Sequence, residues 1–426
     1  MKSVLKKTNR AVALILAGSV LCTALSSCSS GGTNKSNPVA VDEFGEVDME
    51  KALSYETDID ALIEKLEAKE VDPSKPVSEN INKKTLAVFN WLRENHGTKT
   101  ILGQQMMNEK NYEDAVYYGL SEDLPAIKGF DLIFSTSSGD TSQIDRAIEW
   151  HTKSSGLVTL TWHWNVPRDI DNLSKGTAFY TEEITNFSLV NAVTPGTKEY
   201  EQIIHDIDLI AIQLQRLEEA DVPVLWRPLH EASGSWFWWG GSSRDNSMED
   251  SYKKLWYIIF DRLENYHKLT NLIWIWNGQN QRHSVSPNTY DISGTDIYPN
   301  SQDHTAQEKS YADLQKITAE GKMIALTECG YIPDIKDMKE TGAMWLYCLP
   351  WYGDFVYASS GGGPVLDTDG LPSVNTEKMS EEFLKGFLED ENVITWKKMP
   401  KWDGTEKNVP ENTDLLFKMA NWSKDH

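Results

Sequence analysis

Two glutamates, each at the end of an apolar β-like run, carry the chemistry this chain is equipped to do. Val222–Trp226 leads into Arg227-Pro228-Leu229-His230-Glu231, and Met323-Ile324-Ala325-Leu326-Thr327 leads into Glu328-Cys329-Gly330. An aromatic cluster, Trp236-Phe237-Trp238-Trp239-Gly240, follows the first glutamate. Flat apolar rings stack on pyranose faces, and a proton donor set among them acts on a glycosidic oxygen. A pair of carboxyl groups is what glycoside hydrolysis requires.

Groups this far apart in sequence cooperate only if the fold delivers them to one rim. From about Asn80 onward, short β-like runs alternate with helical stretches. The runs are Thr100–Gln105, Leu132–Thr136, Leu157–Trp164, Val222–Glu231, Leu272–Asn277, Ile292–Tyr298, Met323–Cys329 and Ala343–Trp351. Most are apolar throughout, as parallel strands covered on both faces are. Amphipathic segments such as Ser142–Thr152, Lys198–Ala220, Met248–His267 and Gln307–Glu320 lie between them. Eight such units point to an α/β fold, a (β/α)8 TIM barrel. A doubly wound sheet is the other solution, but no Gly-rich fingerprint follows the first run. Barrels of this kind place functional groups at the C-terminal ends of their strands. Glu231 on the fourth strand and Glu328 on the seventh would then share one mouth.

Several motifs together resemble glycoside hydrolase family 26. They are Trp226–Glu231 with Gly234 and Trp236–Gly240, Trp162-His163-Trp164-Asn165, Asp296-Ile297-Tyr298, and Thr327-Glu328-Cys329-Gly330. The likeness runs from about Thr85 to Trp351 and implies a β-mannanase of the mannan endo-1,4-β-mannosidase type. It makes Glu231 the general acid/base and Glu328 the nucleophile of a retaining reaction. It also implies sugar-site roles for His163 and His230, an aglycone-side aromatic in Trp236, a floor under the reacting sugar in Trp351, and a hydrogen bond from Tyr298 to the nucleophile. Asp296 shares the rim face of Tyr298 by strand alternation and is expected to bind a hydroxyl. Trp162 is counted with the sugar contacts, although it shares with Trp164 a face opposite His163. Two departures stand out: Gln104-Gln105 where many relatives have His-Gln, and Tyr352 where some carry an arginine. No His-x-His pattern and no histidine four residues after His230 support a zinc site, so neither metal nor other cofactor is expected.

The ends of the chain read differently from its body. Lys2, Lys6, Lys7 and Arg10 precede an apolar stretch from Ala11 to Leu25, the pattern of an export signal. Leu25-Ser26-Ser27-Cys28 resembles a bacterial lipobox, which would make Cys28 the lipidated first residue of a protein anchored in the cell envelope, on the outer membrane. The expected organisation is a signal peptide over 1–27, a tether and acidic, partly helical extension over 28–79 with a helix around Met49–Lys69, a catalytic domain over 80–400 and a tail over 401–426. A net charge of -23 with no basic patch in the body excludes nucleic acid as a partner. Cys329 and Cys348 are too few for a disulfide framework and read as buried thiols. The expected partners are β-mannan, galactomannan and manno-oligosaccharides, bound by a monomer. Two alternatives remain at this level: a β-glycanase cutting mixed-linkage glucan or β-1,3-xylan, and a glycan-binding lipoprotein on a dead barrel. The second has no need of both glutamates.

Overall fold

The computed structural model describes residues 46–400 apart from 108 and 109, together with Trp402. The export signal, Cys28 and the tether lie outside the described residues, as do residues 403–426. Eight parallel strands form the centre: β1 (Thr100–Gln105), β2 (Ile127–Asp131), β3 (Leu157–Thr161), β4 (Val224–Arg227), β5 (Leu272–Trp276), β6 (Ile292–Ile297), β7 (Met323–Cys329) and β8 (Tyr347–Pro350). Each pairs with its successor, and β8 returns to β1 through Ile101 opposite Tyr347 and Leu102 opposite Cys348. The sheet is therefore closed, a (β/α)8 barrel. Almost every strand position is buried, because side chains alternate between the barrel interior and the helical jacket. The jacket helices are amphipathic. Lys198–Glu219, capped by Thr197 on the Tyr200 amide, buries Ile203, Ile204, Ile207, Ile210, Ala211, Leu214 and Leu217 along one stripe.

The second strand lies five residues earlier than the apolar pattern suggests. Ile127–Asp131 looks polar in sequence because of Lys128, but that lysine is buried, pairs with Asp114 and sits 4.3 Å from the Trp150 ring centroid. Leu132–Thr136 is a turn instead. The third, fourth and eighth strands are shorter than expected, so Glu231 lies four residues past the end of β4, on a turn.

The acidic extension also differs from a single helix. It forms α1 (Met49–Ser54) and α2 (Ile59–Glu67), with α2 capped by Asp58. The break is imposed by the barrel. Tyr55 and Thr57 donate to Asp261, and the fully buried Arg262 donates to the carbonyls of Ala52 and Tyr55 while forking onto Asp208. At the other end, Val393–Ile394 adds a short parallel strand beside Thr100 and Ile101, and Trp402 packs edge-on against Trp91.

Candidate active site

Glu231 is presented by a strained turn. Leu229 and Glu231 both have positive φ, 51° and 53°, a region L-residues avoid at a cost of about 1–2 kcal/mol each. The turn persists because the Glu231 amide donates to Asn277 Oδ1 at 3.1 Å and the Trp239 indole donates to the His230 carbonyl at 2.8 Å. The Trp236 indole then donates to Glu231 Oε2 at 2.8 Å. Its ring lies over Gly234, where a Cβ would meet ring carbons at 2.5 Å, which is why glycine stands there.

Glu328 is held inside β7. One oxygen accepts from the Arg227 guanidinium and the other from the Tyr298 hydroxyl at 2.7 Å. Arg227 also donates to Asp296 at 2.9 Å. Asp296 reaches this place through a register shift between β6 and β7 that sets it opposite Glu328. It further accepts from Asn277 at 2.9 Å and Thr327 at 2.6 Å. Its side chain is buried and saturated, so it is a counter-charge for Arg227 rather than the expected hydroxyl ligand.

Carboxylate oxygens of Glu231, Asp296 and Glu328 all lie within 4.8 Å of one another. Three acids this close are also a cation-binding geometry, but here the Arg227 guanidinium already bridges two of them. The crowding decides where protons go. Burial, then the charges of Asp296 and Glu328, push the Glu231 carboxyl up to about 8. Burial and Asp296 raise Glu328 as well, though less, because Arg227, His163 and the Tyr298 hydroxyl offset part of the rise. Of the pair Glu231 is raised further, and among the described residues it makes no ion pair, so it is the group that holds the shared proton more strongly.

His163 and His230 form a second polar chain. Burial disfavours a charge on His163, but Asp131 at 2.5 Å outweighs it and raises the imidazole. His230 is held well below its ordinary value by burial, Arg227 and His163. The partners then assign the protons: His163 Nδ1 donates to Asp131, His163 Nε2 to His230 Nε2 at 3.3 Å, and His230 Nδ1 to Thr161 Oγ1 at 3.1 Å. His230 is 1% exposed with both nitrogens used, so it supports His163 and has none left for a sugar. Trp162 is likewise 1% exposed, stacked on Trp164 at 4.0 Å, and lies in the core rather than the cleft. Trp351 is half-buried beside His163, with ring centroids 6.1 Å apart. Cys329 and Cys348 are buried and free.

Exposed aromatics mark the cleft. Among the described residues four aromatic side chains stand exposed, Phe134, Tyr180, Trp236 and Tyr298, and they follow β2, β3, β4 and β6 at the barrel mouth. Sequence reasoning found Trp236 and Tyr298. It missed Tyr180, which the 169–196 insertion holds against Phe237, pinned by Thr181 N to the Trp236 carbonyl at 2.7 Å. It also missed Asn277, Asp131 and Arg227 as site residues. The signal for Arg227 was available: a lone cation inside an apolar strand must face an acid.

The profile of glycosyl hydrolase family 26 matches residues 77–360. Mannan endo-1,4-beta-mannosidase B of Piromyces sp is 35% identical over 285 residues, 64% of this chain and 47% of that protein. A mannan endo-1,4-beta-mannosidase of Thermothelomyces thermophilus is 32% identical over 324 residues, 74% of this chain and 61% of that one. The chain spans about half the length of the first of these relatives. Among solved structures, a beta-mannanase from a symbiotic protist of the termite Reticulitermes speratus, complexed with gluco-manno-oligosaccharide, superposes with a TM-score of 0.66. It is 30% identical, with 77% of this chain and 98% of that chain covered.

Proposed function

The chain belongs to glycosyl hydrolase family 26, and we propose that it hydrolyses β-1,4-mannosidic bonds with retention of configuration. The observation that carries this is the spacing and unequal protonation of two glutamates. Their nearest oxygens lie within 4.8 Å, which fits the ~5–5.5 Å of retaining enzymes better than the ~6.5–9.5 Å that leaves room for water in inverting ones. Glu231, protonated at neutral pH, gives its proton to the glycosidic oxygen as Glu328 attacks the anomeric carbon. The attack consumes the Glu328 charge, which lowers the pKa of Glu231 and lets it deprotonate water for the second displacement. Trp351 and His163 flank the reacting sugar, and Trp236 takes the sugar on the leaving side. Glu328→Ala should abolish turnover of mannan while manno-oligosaccharide binding survives, and the first-formed product anomer should be β by NMR. Full activity in the variant, or an α product, overturns the assignment. Lichenan and β-1,3-xylan assayed beside mannan separate the related β-glycanase activities.

The envelope location rests on Leu25-Ser26-Ser27-Cys28. The protein is proposed to be a monomer tethered to the outer membrane through acylated Cys28, acting on polymer delivered to that surface. Cys28→Ala should release it from the membrane fraction and abolish incorporation of a labelled fatty acid.

A further inference from the structure

Leu132-Ile133-Phe134 continues an apolar run past the end of β2, yet it is a turn, and the Phe134 side chain is 46% exposed. A large ring left in water forgoes the stabilisation of burial, which marks a binding surface when it lies at a functional mouth. The turn is stiff. The Phe134 carbonyl accepts from the amides of Ser138 and Asp140 at 3.0 and 3.3 Å and from the Ser138 hydroxyl at 3.1 Å. Asn165, beside the Trp162-His163-Trp164 run, donates to the Ile133 carbonyl at 2.7 Å. The backbone that carries the ring is thus fixed before binding, which reduces the ordering entropy lost when a ligand binds.

Phe134 forms one wall of a cavity of about 370 Å³, with Met107, Asp131, Asp140, Ser142 and Gln143 among its other walls. Its size falls in the range of small-ligand sites, about 300–1,000 Å³. An aromatic face beside hydroxyl, amide and carboxylate groups is the chemistry that holds a pyranose. Asp131 ties the cavity to the His163 side of the site, since it lines the cavity and accepts both the His163 amide and its Nδ1–H. It also lies on the arc of strands β8, β1, β2 and β3 that carries Trp351 and His163, whereas Trp236 follows β4.

We propose that Phe134 is the stacking platform of a remote glycone subsite, which binds a pyranose of the same chain beyond the sugar held at Trp351. The side assigned to it rests on the catalytic reading above. The cleft then grips a chain on both sides of the scissile bond, and the enzyme selects long substrates over short ones.

The test is the ratio of kcat/KM for mannohexaose to that for mannotriose, in the wild type, Phe134→Ala and Phe134→Trp. The alanine variant should lower this ratio about tenfold, mainly through KM on the hexaose, and tryptophan should restore it. An unchanged ratio, or equal slowing of both substrates, overturns the platform. Because Phe134 is exposed, both variants should keep the wild-type melting temperature. If the wild type cleaves a different β-glycan, the mannan reading fails. The same ratio measured with long and short oligomers of that glycan still decides the subsite.

Discussion

Replacing Glu231, the proposed catalytic acid, should make the protein more stable, and the gain should depend on pH. Glu231 has a folded-state pKa of about 8 against an ordinary 4.5. Below pH 4.5 the folded and unfolded chains both carry the proton and the site costs nothing. As pH rises from 4.5 to 8 the unfolded chain releases its proton while the folded chain keeps it, so stability falls across that window and levels off above it. At pH 7 the penalty is at most about 3 kcal/mol, at ~1.36 kcal/mol per pH unit. The proton is shared electrostatically with Glu328, so about 1–3 kcal/mol is the expected range. Glu231→Gln removes the titration but keeps an oxygen for the Trp236 indole. Thermal unfolding should show the variant melting roughly 2–6 °C above the wild type at pH 8, with the difference closing by pH 4. A variant less stable at pH 8, or one with equal gain at both pH values, would falsify the reasoning about crowded carboxylates. The same variant should have lost its activity on mannan.

Other perturbations test the neighbouring groups. Asp296→Asn removes one of the charges that hold the Glu231 proton, so the alkaline limb of kcat/KM, expected near pH 8 in the wild type, should move to lower pH; a limb that stays or rises contradicts the assigned cause. Tyr298→Phe deletes a 2.7 Å hydrogen bond to Glu328. It should cut kcat by about tenfold or more while leaving the melting temperature within a degree or two. A chain beginning at residue 77 loses the Ala52 and Tyr55 carbonyls that Arg262 donates to and the Tyr55 and Thr57 donors on Asp261. It should be destabilised by about 2–5 kcal/mol in denaturant titration, because buried polar and charged groups are left unpaired; unchanged stability would make the extension a mere spacer.

How far the sequence is legible follows from what each residue has to satisfy. β1 and β7 match their apolar runs at both ends because nothing interrupts the pattern. β2 was hidden by Lys128, a charge admitted to the interior only because Asp114 waits for it, and the error concealed Asp131 as well. Glu231 and Glu328 were legible from their motifs. The fate of Asp296 was not, since alternation along β6 gives its face but cannot foresee the register shift that turns it onto Arg227. His230 and Trp162 were misplaced for a related reason: their types suit a sugar site, but only three-dimensional packing shows that their polar atoms or ring faces are already taken.

The site is best understood by its charges. Glu231, Asp296 and Glu328 face one buried cation, Arg227, while the nearby His163 is already paired with Asp131. With all three acids ionised, two negative charges would lie uncompensated in a poorly solvated mouth. Binding one proton relieves that excess, and the acid without a cation is the one to take it. Asp296 already accepts from Arg227, Asn277 and Thr327. Glu328 competes less well for the proton, with Arg227 and Tyr298 donating to its two oxygens. Among the described residues the Trp236 indole alone donates to the Glu231 carboxyl, so in the proposed reaction Glu231 holds the proton until the attack of Glu328 removes the charge that kept it there. Asp296 need not touch substrate to matter: in the proposed cycle its charge helps keep Glu231 an acid near neutral pH, and the change in charge on Glu328 lets the same group act as a base half a cycle later.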